Sequence, residues 1–509
     1  MARKPNLKQA VVVIHGMGEQ VPMETVRGLT DAVWVKDDTL VPPKRREPGL
    51  NTVRDGNDIW SKPDSRNRSH ELHRMTTESD IHGRRTDFYE FYWAHRIHGT
   101  TLDQVWSWVT DLLLRNPSKH VPKDVLNVWI ALWVLTIILF AIIVTISAGI
   151  FQLVEQPAAI TVLIAVLGLA TTALVNWIKN TVLVKIFGDV VRYTKASPLN
   201  ISRRQEIREK GVELLETLMG VNNGLDDPKA ERSKNKREYD RIIVVSHSLG
   251  TIVAYDILSL AFARINRLVN KNMGGAAEAQ IDALEKMISQ RLDVGTLDID
   301  TFQQAQSAAL ENLQAIGSPW IVSDFITLGS PLTHAEFLIS DDEKALTEAQ
   351  AERRYPTCPP QMEHDLRTGE NHFTYLPGKR AKVGIDTRVP HHAAIFGFTR
   401  WTNIYSPRKW FIWGDIVSGP IGRHFGLCTT NNSSLESNKL SGIRDIPVLP
   451  PRDENNAVQK GFKIPFMTHN KYWNMEIGIA GKQSDTPHHI SVLRKAINLL
   501  RSPDPWKKH

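Results

Sequence analysis

Cysteine is almost missing from this chain of 509 residues, since Cys358 and Cys428 are the only two and they form no CxxC pair. Disulfide frameworks and cysteine-based zinc sites both need cysteine pairs at short spacings. The sequence therefore argues against both classes and is more typical of a reducing compartment. The apolar run from Ala10 to Ile14 is too short for the hydrophobic part of a secretory signal peptide, so none is expected.

Acidic residues fall short of basic ones, with 55 Asp and Glu against 62 Lys and Arg, for a net charge of +7. Such an excess suits an anionic membrane surface or nucleic acid, and a generic basic surface explains it equally well. The basic residues are scattered and no RNA-binding aromatic motif occurs, so we expect no nucleic-acid partner. His82 and the His391–His392 pair lack a zinc-binding spacing, so no metal or other cofactor is expected. No feature of the sequence fixes an oligomeric state.

Charge is missing over two long stretches, residues 126–154 and 156–178, with only Glu155 between them. A helix needs about 20 apolar residues to cross a bilayer, so the pattern predicts a two-helix transmembrane hairpin over residues 116–184. Buried core helices are the alternative, but these are rarely apolar on every face. Lysine and arginine flank the hairpin on both sides, so the positive-inside rule predicts a multi-pass membrane protein whose remaining chain is cytoplasmic.

Outside the hairpin, apolar runs and helical patterns alternate along residues 1–115 and 185–509. This alternation predicts an α/β fold with a mainly parallel central sheet. The polar segment 36–85 is predicted to be a long loop, and 271–317 a helical insertion of two helices around Gly295. Strands are predicted over 9–14, 87–93, 241–245, 321–328, 401–405 and 446–449, and helices over 201–219, 251–260 and 491–500.

The clearest motif is Ser246-His247-Ser248-Leu249-Gly250, which lies between a predicted strand and a predicted helix. It is a variant of G-x-S-x-G in which Ser246 takes the place of the first glycine. An exposed nucleophile at such a junction needs a sharp turn, and small residues two before and two after the serine let the turn close. The motif predicts Ser248 as a nucleophile. A tight turn with incidental serines is the alternative.

A second motif, His15-Gly16-Met17-Gly18, directly follows the first predicted strand. Acyl transfer needs backbone N–H groups aimed at the oxyanion that forms during attack. Gly16 and Gly18 allow a tight loop, so the amides of Met17 and Leu249 are the predicted donors of an oxyanion hole. His15 is expected to be structural.

Together the two motifs resemble the α/β-hydrolase superfamily and its lipase-like branch. Residues 326–332 also resemble the strand and turn that follow the nucleophile helix in many lipases. The resemblance implies an α/β-hydrolase fold interrupted by the hairpin. It also implies a membrane-anchored serine hydrolase of carboxylic esters, with a lipid or other acyl ester as substrate and the bilayer as partner. A deacylase or thioesterase of lipidated protein and an inactive membrane scaffold with this fold are the alternatives.

In this superfamily the acid and then the histidine follow the serine along the chain. Asp415, which comes after the predicted strand 401–405, is the predicted acid. Its rivals are Asp324, at the start of a strand, and Asp445. The predicted base is His469, which precedes the last helix. Less well placed histidines are His391, His392, His424, His488 and His489.

Overall fold

A computed structural model gives the fold of the chain. It describes residues 8–16, 21–41, 56–63, 72–96, 193–194, 198–221, 238–269, 279–292, 294–366, 369–376, 388–407, 414–415, 417–428, 439–449, 467–474 and 486–507, and isolated helical positions between 126 and 137.

The described strands, in chain order, are β1 (Lys8–Ile14), β2 (Ile59–Pro63), β3 (His73–Thr77), β4 (Thr86–Phe91), β5 (Tyr239–His247), β6 (Val322–Leu328), β7 (Glu363–Asp365), β8 (Glu370–His372), β9 (Thr374–Tyr375), β10 (Val389–Pro390), β11 (Arg400–Tyr405), β12 (Leu427–Cys428), β13 (Lys439–Leu440) and β14 (Arg444–Pro447).

The described α-helices are α1 (Glu24–Thr30), α2 (Pro198–Leu218), α3 (Gly250–Ile265), α4 (Ala279–Leu292), α5 (Ile299–Ala315), α6 (Ala335–Leu338), α7 (Glu343–Ala351), α8 (Gly422–Phe425) and α9 (His488–Ile497). A π-helical segment (Asp31–Val35) extends α1, and short 3-10 helices cover Ala94–Arg96, Pro331–His334, Ile395–Gly397 and Met467–Asn470.

Eight strands form one central sheet in the order β14-β11-β6-β5-β1-β4-β3-β2. The six strands from β14 to β4 are parallel, whereas β3 and β2 run antiparallel to their neighbours at one edge. Parallel strands are buried on both faces by helices and therefore read as continuous apolar runs, as in β1 and β5. The predicted α/β fold with a mainly parallel sheet is confirmed.

Helices cover both faces of the sheet, and β1 shows how the strands divide between them. Its residues Ala10, Val12 and Ile14 belong to one buried core, together with residues of α2, α3, α4 and α5. The intervening Val11 and Val13 belong to the second core, which contains residues of α1 and α9. Alternation of side chains along a strand produces this division into three layers.

The strand order reverses at β1, which pairs with β4 on one side and β5 on the other. After β1 the chain builds β2, β3 and β4 on one side, and then crosses to β5 and continues to β6, β11 and β14. In open α/β sheets, ligand sites form beyond the carboxyl ends of the strands at such a reversal. The ends of β1 and β5 therefore mark the place to look for a site.

The predicted transmembrane hairpin, residues 116–184, lies outside the described residues except for isolated helical positions between Leu126 and Ile137. Within the portion of the chain that the structure describes, no helix combines the length and the apolar character that crossing a bilayer requires. The helix α2 has 21 residues, but charged side chains recur along it. The prediction of a multi-pass membrane protein with a cytoplasmic domain is therefore wrong for the described structure.

The prediction that residues 36–85 form one long loop is also wrong, because β2 and β3 lie within this segment and pair as an antiparallel hairpin. Along β2 only Ile59 is buried, and the other four residues are exposed. An edge strand of this kind lacks the apolar alternation by which strands are recognised in a sequence. The predicted helices around Gly295 correspond to α4 and α5.

Glu90 on β4 is a fully buried carboxyl group that accepts a hydrogen bond from the backbone N–H of Met23, at the start of α1. Burial raises its pKa from 4.5 to about 7 in spite of this bond. An acid whose pKa is raised on folding contributes stability that is lost as the pH rises through the folded pKa.

We therefore predict that Glu90→Gln stabilises the fold relative to the natural chain as the pH rises from 5 to 8. The gain should reach roughly 3 kcal/mol, because each pKa unit corresponds to about 1.4 kcal/mol. Denaturant unfolding at both pH values measures it. Glu24→Gln, which removes an exposed carboxylate from the same helix turn, is the control. A Glu90→Gln difference that does not vary with pH would contradict the prediction.

Candidate active site

Ser248 lies in the turn between β5, which ends at His247, and α3, which begins at Gly250. Its φ angle is +52°. A non-glycine residue pays roughly 1–2 kcal/mol for this left-handed conformation, which proteins keep where the surroundings enforce it. The backbone N–H of Ser248 donates to Leu328 O at 3.0 Å, and Ser248 O accepts from Thr251 N at 2.9 Å. The turn is therefore held by both β6 and the first turn of the helix.

Two glycines let this turn pack directly against the residues that follow β1. A Cβ atom at Gly250 would lie 2.2 Å from His15 O, and one at Gly16 would lie 2.9 Å from Ser248 Cβ. Ser246, which replaces the first glycine of the motif, fits because its buried hydroxyl donates to Ile326 O at 3.2 Å. Small residues are thus needed at 16 and 250 for the ends of β1 and β5 to approach each other.

The structure brings the three predicted side chains Ser248, His469 and Asp415 into one hydrogen-bonded chain. His469 Nε2 lies 2.7 Å from Ser248 Oγ, and His469 Nδ1 lies 2.9 Å from Asp415 Oδ2. Because a carboxylate only accepts, Nδ1 carries the proton that it donates to Asp415. Nε2 of the neutral ring is then free to accept the Ser248 hydroxyl proton.

Asp415 is buried, and it accepts hydrogen bonds from other groups in addition to His469. Its Oδ2 also accepts from the hydroxyls of Tyr472 and Ser418, each at 2.7 Å, and its Oδ1 accepts from Val417 N at 2.9 Å. Burial by itself raises the pKa of a carboxyl group. Here the neighbouring His469 and the hydroxyl donors outweigh burial and hold the pKa of Asp415 well below its ordinary value. The carboxylate therefore stays charged beneath the imidazole.

Exposure separates the three groups. Ser248 is 2% exposed and the Asp415 side chain is fully buried, whereas the His469 side chain is 13% exposed. The imidazole is therefore partly accessible to solvent, while its acid partner is shielded from water. Such an arrangement can take a proton from the serine hydroxyl as it attacks an electrophile.

The rival acids lie elsewhere. Asp324, at the start of β6, pairs with the guanidinium groups of Arg241 at 2.6 Å and Arg400 at 2.7 Å. Asp445 accepts from the Asn403 side chain at 2.7 Å, and also from two backbone amides. Both carboxyl groups are therefore committed to structural contacts.

The described contacts of three of the rival histidines are structural as well. One nitrogen of His489 lies 3.0 Å from Asn474 O, and one nitrogen of His391 lies 2.9 Å from Gln361 O. His424 Nδ1 lies 2.7 Å from a carboxylate oxygen of Glu336.

His15 is buried and makes contacts that hold the end of β1. Its Nε2 accepts from the backbone N–H of Trp93 at 3.1 Å, its Nδ1 lies 2.8 Å from Gly16 O, and its ring stacks on the Trp93 indole. Burial lowers its pKa to about 4, so the ring is neutral. These contacts fix the chain as it leaves β1 towards the predicted oxyanion loop.

Of the two residues predicted to donate to the oxyanion, the structure describes Leu249 but not Met17. Met17 and Gly18 lie outside the described residues. Leu249 is buried at the N-cap position of α3, next to Ser248. Its amide belongs to the positive end of the helix dipole, where developing negative charge is stabilised.

Four further residues lie beside the hydrogen-bonded chain and were not predicted to belong to the site: Tyr472, Ser418, His247 and Gly329. A Cβ atom at Gly329 would lie 3.2 Å from both Asp415 Oδ2 and His469 Cε1. Its φ of +58° places the end of β6 against the two side chains. Proximity in sequence could have indicated two of them, since Tyr472 is three residues after His469 and Ser418 is three residues after Asp415.

Within the described ranges, no group of three or more His, Cys, Asp or Glu residues is placed to hold a metal ion. Comparison of the chain with protein-family models, curated proteins and solved structures finds no match.

Tyr472→Phe should lower the free energy of unfolding at pH 7 by about 1–3 kcal/mol. The change removes a donor to Asp415 and leaves Ser406 N without its acceptor, the Tyr472 oxygen at 3.0 Å. Because folding lowers the pKa of Asp415 from its ordinary value of 3.8, the charged carboxylate stabilises the fold at pH values above 3.8. This stabilisation is lost as the pH falls through the folded pKa.

Loss of the donor raises that folded pKa, so the deficit of Tyr472→Phe should persist at pH 4 and shrink only at lower pH, as the pH falls through the folded pKa of the variant and then that of the natural chain. Ser418→Ala, which removes the other hydroxyl donor to the same oxygen, should behave with the same sign. Denaturant unfolding at pH 7 and pH 4 measures both variants, and each deficit should be nearly the same at the two pH values. A Tyr472→Phe chain as stable as the natural one at pH 7 would refute this account of Asp415.

Proposed function

We propose that the protein is a serine hydrolase that cleaves carboxylic esters through an acyl-enzyme. The observation that carries the proposal is the continuous chain from Ser248 Oγ through His469 to Asp415, with heavy-atom distances of 2.7 and 2.9 Å. Distances in this range put a general base within reach of the proton that it removes. The strained turn that projects Ser248 adds independent support.

In the proposed mechanism, His469 Nε2 takes the hydroxyl proton as Ser248 Oγ bonds to the acyl carbon of the substrate. The resulting imidazolium is stabilised by the charged Asp415 carboxylate, which also fixes the ring tautomer. His469 then returns the proton to the leaving alkoxide, and the acyl group stays on Ser248. Water, deprotonated by the same imidazole, releases the acid and restores the hydroxyl.

The negative charge of the tetrahedral intermediate needs donors near Ser248. The Leu249 amide at the start of α3 supports this role by its position next to the nucleophile. Met17 N–H stays the predicted second donor, since Met17 directly follows Gly16 in the sequence. The close approach of Gly16 to Ser248 is in keeping with that role.

We further infer that the fold is that of the α/β-hydrolases. The mainly parallel sheet, the serine at a strand-to-helix turn and the chain order Ser248, Asp415, His469 all support this. The same features support a carboxylic ester as the substrate class. Lipid acyl esters and acyl thioesters are the two subclasses that a substrate panel has to separate.

Ser248→Ala should abolish labelling by a fluorophosphonate probe and lower ester turnover at least about a thousandfold. Intact-protein mass measures the labelling. A panel of p-nitrophenyl esters from acetate to palmitate, with matched acyl thioesters, measures turnover and assigns the acyl preference.

Ser246→Ala is the matched control for this experiment. It removes a hydroxyl two residues away in the same motif, where the hydroxyl contacts Ile326 O. Labelling and turnover in this variant should stay within a few-fold of those of the natural chain, since the hydrogen-bonded chain is left intact. Labelling that survives in Ser248→Ala, or a natural chain that neither reacts with the probe nor turns over any ester, would refute the proposed function.

A further inference from the structure

His247 ends β5 directly before Ser248, and its ring is buried between the elements that carry the site. Its Nε2 lies 2.7 Å from the backbone carbonyl oxygen of His469. The ring also lies 4.9 Å from the His469 ring and meets the Trp473 indole edge-on at 4.8 Å, centroid to centroid. One side chain of the central strand therefore contacts both the proposed base, His469, and Trp473 of the same segment.

The protonation of this ring follows from its partner. A carbonyl oxygen only accepts, so Nε2 carries the hydrogen and Nδ1 does not. Nδ1 faces Gly16, where a Cβ atom would lie 3.1 Å from it. Burial, reinforced by the nearby His469, lowers the pKa of His247 to about 3, so the ring stays neutral. His247 is thus a fixed donor with no charge of its own.

His469 needs such a donor because it lies in a short 3-10 helix, Met467–Asn470, and in no strand of the sheet. Ser248, in contrast, is fixed by the end of β5 and the start of α3. The hydrogen bond from His247 joins the backbone at His469 to β5, the strand that positions Ser248. An error of about 1 Å in such an alignment can cost about a hundredfold in rate.

We propose that His247 is a positioning residue for the reaction, and that its Nε2–H holds the His469 backbone so that the His469 imidazole reaches Ser248 Oγ. The proposal rests on the proposed function for its kinetic consequence. The hydrogen bond between His247 and His469 can be tested independently of that function.

The test compares His247→Gln with His247→Asn, both neutral amides. The Gln amide nitrogen reaches the place of Nε2 and can donate to His469 O, whereas the shorter Asn amide reaches only the place of Nδ1. His247→Asn should lower kcat about 10- to 100-fold and change KM less than about threefold. His247→Gln should keep kcat within about threefold of the natural chain. Thermal unfolding of both variants checks that they are folded.

Equal kcat values for the two variants, or a loss confined to KM, would overturn the proposal. A measurement on the natural chain covers the case in which a variant does not fold or the chain turns over no ester. In histidine-labelled protein, nitrogen NMR should find His247 as the Nε2–H tautomer, without titration between pH 5 and 9. An Nδ1–H tautomer, or a ring that titrates near pH 6.5, would overturn the contact even where the hydrolase function had already failed.

Discussion

Ser248 takes a left-handed backbone conformation, and the sharp turn at this residue is the constraint on which the rest of the site depends. The turn exists because three strand ends meet there. Gly16 after β1, Gly250 at the start of α3 and Gly329 after β6 each lie so close to their neighbours that a side chain would collide. Backbone hydrogen bonds then supply the energy that a non-glycine residue needs to keep a positive φ. The geometry of the parallel sheet is thereby transmitted to a single hydroxyl.

The protonation states of the buried groups are the second constraint on the site. Asp415 is the buried charge of the site, and hydroxyl and amide donors keep it ionised. His15 and His247, in contrast, are held neutral by burial and act through fixed hydrogen bonds. His469 lies between these groups, with its Nδ1 towards the acid and its Nε2 towards Ser248. A buried charge with satisfied partners and a partly exposed imidazole is the division of labour that acid–base chemistry requires.

Much of this arrangement could be predicted from the sequence, because β1, β5 and β6 are continuous apolar runs and the residues around Ser248 mark a strand-to-helix turn. The same reasoning placed Asp415 and His469 by chain order, and the structure brings both to Ser248. Their catalytic roles stay predictions. Contacts between segments distant in sequence, such as His247 to His469, leave no periodic signal. The hairpin of β2 and β3 was missed since its exposed residues show no apolar alternation. The membrane prediction rested on residues 126–154 and 156–178, nearly all of which lie outside the described residues, and the helices that are described are too short or too polar to span a bilayer.

If the protein is a serine hydrolase, its Ser248 hydroxyl is covalently acylated during each turnover. The most direct measurement is to quench the reaction with a p-nitrophenyl ester in acid within milliseconds and to map the acyl group by peptide mass. We expect a stoichiometric acyl adduct on the peptide that contains Ser248, formed in the same time as an initial burst of p-nitrophenol. Turnover with this peptide unmodified, or with the acyl group on another residue, would contradict it.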